Sequence, residues 1–196
     1  MLIGTSTQAG AFTEAIVRQM ATHTERPIIM PLSNPTSKCE ALPQDLIRWT
    51  DGQALIATGS PFAPVHHGDR VYTIAQANNA LVFPGLGLGV TVSRARRITD
   101  GMIAAAADAV ARLSDATTPG SALLPPVDDL RSVSAAVAIT VAEAAVREGH
   151  AQTALDNPIE QVHEAMWRPD YPHIELGPES QRTHGNAPAR AAANDE

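Results

Sequence analysis

Apolar residues fall in short runs separated by turn chemistry, and the runs alternate with stretches of helical period. Leu2-Ile3-Gly4-Thr5-Ser6 reads as a brief buried strand that breaks off into a small-polar loop. Phe12, Ile16, Val17 and Met20 then recur at helical spacing over 12–21, with Thr13 as N-cap. Pro27–Leu32 and Ala54–Thr58 are continuous apolar runs of the kind a strand enclosed on both faces produces. Between them a helix is expected over 43–50, closed by Asp51-Gly52. Leu81-Val82-Phe83 reads as a fourth strand, ended by Pro84-Gly85, and 60–70 reads as a loop. Helices are expected over 86–97, over 100–113 with Asp100 as cap, and over 129–148. From about Gly177 the periodicity is lost, which predicts disorder.

Apolar runs alternating with helices predict an α/β fold of the Rossmann-like, doubly wound, mostly parallel kind, opening mid-domain and lacking its N-terminal half. C-terminal helices should follow. The expected division is a nucleotide-type domain over 1–113, a connector and helical segment over 114–175, and a disordered tail over 176–196. In such sheets the ligand crevice lies outside the carboxyl ends of the strands. Function should therefore sit at Gly4-Thr5-Ser6, Ser33-Asn34-Pro35, Thr58-Gly59-Ser60 and Pro84-Gly85.

Composition narrows the chemistry. The chain has 196 residues, 14 Lys plus Arg against 21 Asp plus Glu, and a formal net charge of −7. With Lys38 its only lysine, it offers no electrostatic footprint for nucleic acid or an anionic membrane. No apolar stretch reaches the ~20 residues of a membrane helix. A single cysteine, Cys39, excludes an intrachain disulfide and fits a reducing, cytoplasmic setting.

Asn34, in Leu32-Ser33-Asn34-Pro35-Thr36, supplies donor and acceptor without charge, although an ordinary Asn-Pro turn explains it equally well. Asn78 and Asn79 either cap the next element or face a crevice shared with Asn34. Gly85-Leu86-Gly87-Leu88-Gly89 has the wrong spacing and place for a dinucleotide fingerprint, and close helix packing accounts for it better. His66-His67 lacks acidic partners at ligand spacing apart from Asp69. Cys39 is either an activated thiol or, more simply, inert. Trp167 and Tyr171 suit a C-terminal anchor or an oligomer contact.

The blocks LIGTSTQAGAFTEAIVRQM, ERPIIMPLSNPTSKCEA, GQALIATGSPFAPV, QANNALVFPGLGLGV, ARRITDGMIAAAADAVA, LLPPVDDLRSVSAAVA and MWRPDYP, spanning about residues 2–173 in order, resemble the C-terminal part of malic enzyme. The resemblance implies oxidative decarboxylation of malate to pyruvate with NAD (NADP possible) and Mn or Mg. It places Asn34, Asn78 and Asn79 against malate, and Gly4, Thr5, Ser6, Ser33 and Asn34 against the cofactor, with the Gly4-Thr5-Ser6 turn near its phosphate-ribose portion. The family's Tyr acid, Lys base, acidic metal ligands and glycine-rich fingerprint belong to segments that this sequence does not match. Lys38, Tyr72 and Tyr171 sit in other motifs. The resemblance therefore implies no catalytic residue and no metal ligand here. The chain is expected to be silent alone, with a missing N-terminal malic-enzyme half as partner in cis or trans, and to form a homo-oligomer. A non-catalytic nucleotide- or partner-binding module is the alternative.

Overall fold

The structure is a computed structural model that describes residues 1–169 and 171. Met1–Met166 form one compact unit. The tail expected over 176–196 lies outside the described residues.

Four parallel strands make the sheet, in the order β1 (Leu2–Gly4), β2 (Ile28–Pro31), β3 (Leu55–Thr58), β6 (Ala75–Gln76). Leu2, Ile29 and Ile56 stand in register. They pack with Phe12, Val17, Leu46 and Ile47 from α1 (Glu14–His23), α2 (Pro43–Trp49) and the turn before α1. This is the α/β parallel sheet that the alternation of runs predicts. Thr13 caps α1 by accepting from the Ile16 amide, and Pro43 opens α2, where a missing N–H costs nothing. Asp51 and Gly52, both at positive φ, end α2.

Three expectations are corrected. Residues 60–70 are not all loop: β4 (Val65–His67) and β5 (Arg70–Tyr72) form an antiparallel hairpin over Gly68-Asp69, with Gly68 at φ +57°. Leu81-Val82-Phe83 is not a strand. The fourth strand is the two-residue β6, and Leu81 ends a 3-10 turn that leads straight into α3 (Phe83–Ser93). Pro84 lies at the start of α3, and buried Leu81 packs among the helices; a three-residue apolar run cannot by itself declare its period. Pro84-Gly85 is accordingly helical and not a strand-end loop. Finally, Thr99, not Asp100, caps α4 (Asp100–Arg112), accepting from the Met102 amide at 3.1 Å.

A second core lies among α3, α4 and α5 (Leu130–Arg147), built from Leu86, Met102, Val110, Val133, Val137 and Val141. Gly85 and Gly89 let α3 close on α5: a Cβ on Gly85 would meet Val137 Cβ at 2.6 Å, and one on Gly89 the Ala138 carbonyl at 2.6 Å. The glycines serve helix packing. Last comes α6 (Pro158–Ala165), whose Asn157 cap exchanges hydrogen bonds with Glu160.

Candidate functional site: the carboxyl edge of the sheet

Because the strands are parallel, their four C-terminal loops share one edge. Residues 5–7, 32–35, 59–60 and 77–79 follow β1, β2, β3 and β6 in turn. The backbone ladder runs on into them: Leu32 N–H donates to Gly4 at 2.9 Å, and Ala77 N–H to Thr58 at 2.9 Å.

Side chains tie each loop to its neighbour. Glu40, between β2 and α2, is fully buried. Its Oε1 accepts from the Ser6 amide at 2.8 Å, the Ser6 hydroxyl at 2.9 Å and the Ser33 hydroxyl at 2.5 Å; Oε2 accepts from the Ser33 amide at 3.3 Å. The Ser33 oxygen accepts in turn from the Thr7 amide at 2.8 Å. At the next junction the Ser60 hydroxyl donates to Asn34 Oδ1. At the third, Gln76 Nε2 donates to the Gly59 carbonyl at 3.3 Å. A Cβ on Gly59 would stand 2.1 Å from the Leu32 carbonyl oxygen, so only glycine lets β2 and β3 end this close together.

Burial alone would raise the Glu40 pKa. The Ser33 hydroxyl and the Ser6 amide outweigh it and hold the carboxyl at about 2. At neutral pH it is an anion beneath the first two loops. Neither composition nor motif spacing singles it out. The one available signal is a charged residue directly before the apolar Ala41-Leu42 that leads into Pro43.

The expected site residues divide by what already occupies them. Gly4 is buried under Glu40, and Ser33 is buried with both its donors spent on that carboxylate. Thr5 is exposed. The amide and hydroxyl of Ser6 are likewise taken up by Glu40. Asn34 is exposed, with its oxygen held by Ser60. Asn78 is engaged locally: its side chain accepts from the Ala80 amide at 2.9 Å and caps the 3-10 turn. Asn79 is exposed.

The other candidates stand apart. His66 and His67 lie on β4, where His67 meets Asp51 at 3.3 Å and Tyr72 edge-on. Cys39 is buried and lies between a separate 3-10 turn, Thr36–Lys38, and α2; burial pushes its thiol up, the Ala41 backbone offsets part of this, and the Glu40 charge adds to it. Its environment opposes a thiolate. Trp167 and Tyr171 are exposed. Among the described residues no group of three or more His, Cys, Asp or Glu is placed to hold a metal ion. No helix among them is long and apolar enough to cross a membrane. A cavity of about 100 Å³, lined by Arg26, Arg70, Thr73 and Gly120 among others, adjoins the starts of β3 and β6 and touches none of the four loops.

A parallel sheet with helices packed on it and polar loops gathered at its carboxyl edge has the architecture of a Rossmann-like domain. Residues 1–146 match the family model described as the malic enzyme NAD binding domain. The chain belongs to the malic enzyme family. It is 55% identical over 174 residues to NAD-dependent malic enzyme 3 of Bacillus subtilis, covering 89% of this chain and 31% of that protein. It is 51% identical to the NAD-dependent malic enzyme of Pectobacterium atrosepticum, over 87% of this chain and 31% of that one. The solved malic enzyme from Pyrococcus horikoshii superposes with a TM-score of 0.67 at 30% identity, covering 84% of this chain and 33% of that one. The chain thus spans about 31% of the length of the curated relatives it matches.

Proposed function

We propose that the chain forms the part of a malic enzyme that holds the nicotinamide end of NAD and the carboxylate of malate, and that it acts together with a further malic-enzyme segment. The stitched carboxyl edge carries this reading. Glu40, Ser60 and Gln76 link four neighbouring loops that offer hydroxyl, amide and glycine groups, with no Lys or Arg among residues 5–7, 32–35, 59–60 and 77–79. Such a surface suits neutral hydrogen bonding to a substrate carboxylate and to a carboxamide.

With its oxygen held by Ser60 and its amide nitrogen beside Gly59, the exposed Asn34 keeps a donor to offer a ligand. Asn79 supplies a second exposed amide, and Asn78 sets the turn from which Asn79 projects. Thr5 borders the crevice from β1. When bound, the nicotinamide accepts hydride from the substrate carbon. The chain's own residues orient the reactants for that transfer. By the family resemblance, the proton-transfer groups and the ligands of the divalent metal belong to the further segment, and this reading assigns none of them to the chain. NADP in place of NAD, and a homo-oligomeric assembly, belong to the same reading.

The exposed edge supports the need for a further segment. Among the described residues β1 has no strand partner on its outer side, and Ile3 and Met1 remain 54% and 73% exposed. A bare apolar edge favours strand pairing. The same observation would serve a purely partner-binding module.

Malate-dependent reduction of NAD and NADP with manganese separates the two. The 196-residue chain should be silent alone and active after mixing with a separately expressed N-terminal segment of a similar malic enzyme. Ile3→Glu should suppress the recovery. Turnover by the chain alone would overturn the division of labour, and silence of every mixture would leave the binding module.

A further inference from the structure

Among the described residues Glu40 is the only buried charged side chain. Burying a carboxylate is costly unless donors surround it, and here four do. Those donors are informative by their identity. Backbone N–H groups in a loop at the end of a strand can turn outward to bind an anionic ligand. Here the Ser6 and Ser33 amides and both hydroxyls turn inward, to an anion of the protein's own. No Lys or Arg lies among residues 5–7, 32–35, 59–60 or 77–79, and Lys38, two residues from Glu40, is exposed to solvent. Gly4 belongs to the same arrangement: a Cβ there would stand 2.6 Å from the Glu40 carboxyl carbon.

We infer that Glu40 is a positioning residue that fixes the loops after β1 and β2 and, by its charge, makes this end of the crevice prefer the cationic oxidised nicotinamide to the neutral reduced ring. The inference rests on the dinucleotide reading above and adds a preference between redox states. Glu40 acts through Ser6 and Ser33, without touching the ligand. An anion in a partly enclosed site favours a nearby pyridinium over a neutral ring. On reduction the ring loses its charge, and that part of the attraction is lost with it, which assists product release.

The test is binding of both redox forms, to the chain alone and to its complex with the N-terminal segment of a similar malic enzyme. NADH is titrated by its fluorescence and NAD+ by competition, with thermal melting as the control for folding. Glu40→Gln should weaken NAD+ about tenfold, the order expected for one partly screened charge, and NADH by less than about threefold. Ser6→Ala, which keeps the charge and removes one hydrogen bond, should weaken both forms alike. Should Glu40→Gln fail to fold, Glu40→Asp takes its place: it should keep the wild-type NAD+/NADH ratio while loosening both. Equal losses in Glu40→Gln, or a changed ratio in Glu40→Asp, would overturn the inference and leave the dinucleotide reading intact. A wild-type protein that binds neither form overturns both.

Discussion

Gly4 and Glu40 exclude one another's alternatives: the space a Gly4 side chain would fill is occupied by the Glu40 carboxyl, with Phe12 Cζ also 2.6 Å away. The end of the first strand and a residue 36 positions later are therefore one device. Gly4→Ala should cost roughly 2–3 kcal/mol, the range for overpacking a closed site plus a disturbed charged hydrogen bond. Urea denaturation measures this. A midpoint equal to wild type would mean that the carboxylate swings aside freely.

Acid should loosen the same junction. The Glu40 pKa is about 2 in the folded chain against an ordinary 4.5. A carboxyl with a depressed folded pKa contributes stability above its unfolded value, and loses it as the pH falls towards the folded one. The contribution should be intact above about pH 4.5 and should fade between there and about pH 2. Glu40→Gln should flatten that limb of the stability profile relative to wild type. Parallel profiles for the two proteins would assign the acid transition to other groups.

The adjacent amides should separate cleanly. Asn78→Ala removes a cap and should cost about 1 kcal/mol of stability. Asn79→Ala touches no such bond and should stay within about 0.5 kcal/mol of wild type. It should nonetheless remove most of the malate turnover recovered in the complemented enzyme. The reverse pattern, a destabilised Asn79→Ala with full turnover, would exchange their roles.

Three glycines of α3 should respond in opposite directions. Gly85→Ala and Gly89→Ala each drive a methyl into α5 and should destabilise by roughly 1–3 kcal/mol. Gly87, with nothing within 4 Å of its Cβ position, should gain about 0.5–1 kcal/mol as alanine through lower unfolded-state entropy. Thermal melting of the three variants decides it.

Ser60→Ala should leave melting within about 1 kcal/mol, since the serine is only half-buried. It releases the Asn34 amide, so KM for malate in the complemented enzyme should rise with less change in kcat. A kcat loss with KM unchanged would place Ser60 at the reaction itself.

Much of the frame was legible in the sequence. The runs 2–6, 27–32 and 54–58 each carry enough apolar residues between turn signals to declare a strand, and Thr13 and Pro43 mark helix starts by local chemistry. The ordered blocks around LSNPT and QANN carried the family. What local pattern could not supply was the period of very short runs. Leu81-Val82-Phe83 became helical because Asn78 caps a turn and Pro84 opens α3, and the two-residue β6 has too few side chains to show alternation. Moving the fourth strand to Ala75–Gln76 is what brings Asn78 and Asn79 to the carboxyl edge at all. Glu40 was hidden for a different reason. Its partners Ser6 and Ser33 lie 34 and 7 residues away, and only the parallel pairing of β1 with β2 sets them around one carboxylate. The sequence by itself determined which residues carry polar and apolar groups and hence the class of fold. The tertiary structure decided which of those polar groups are spent on one another and which still face the crevice, because hydrogen bonds between distant loops have no local signature.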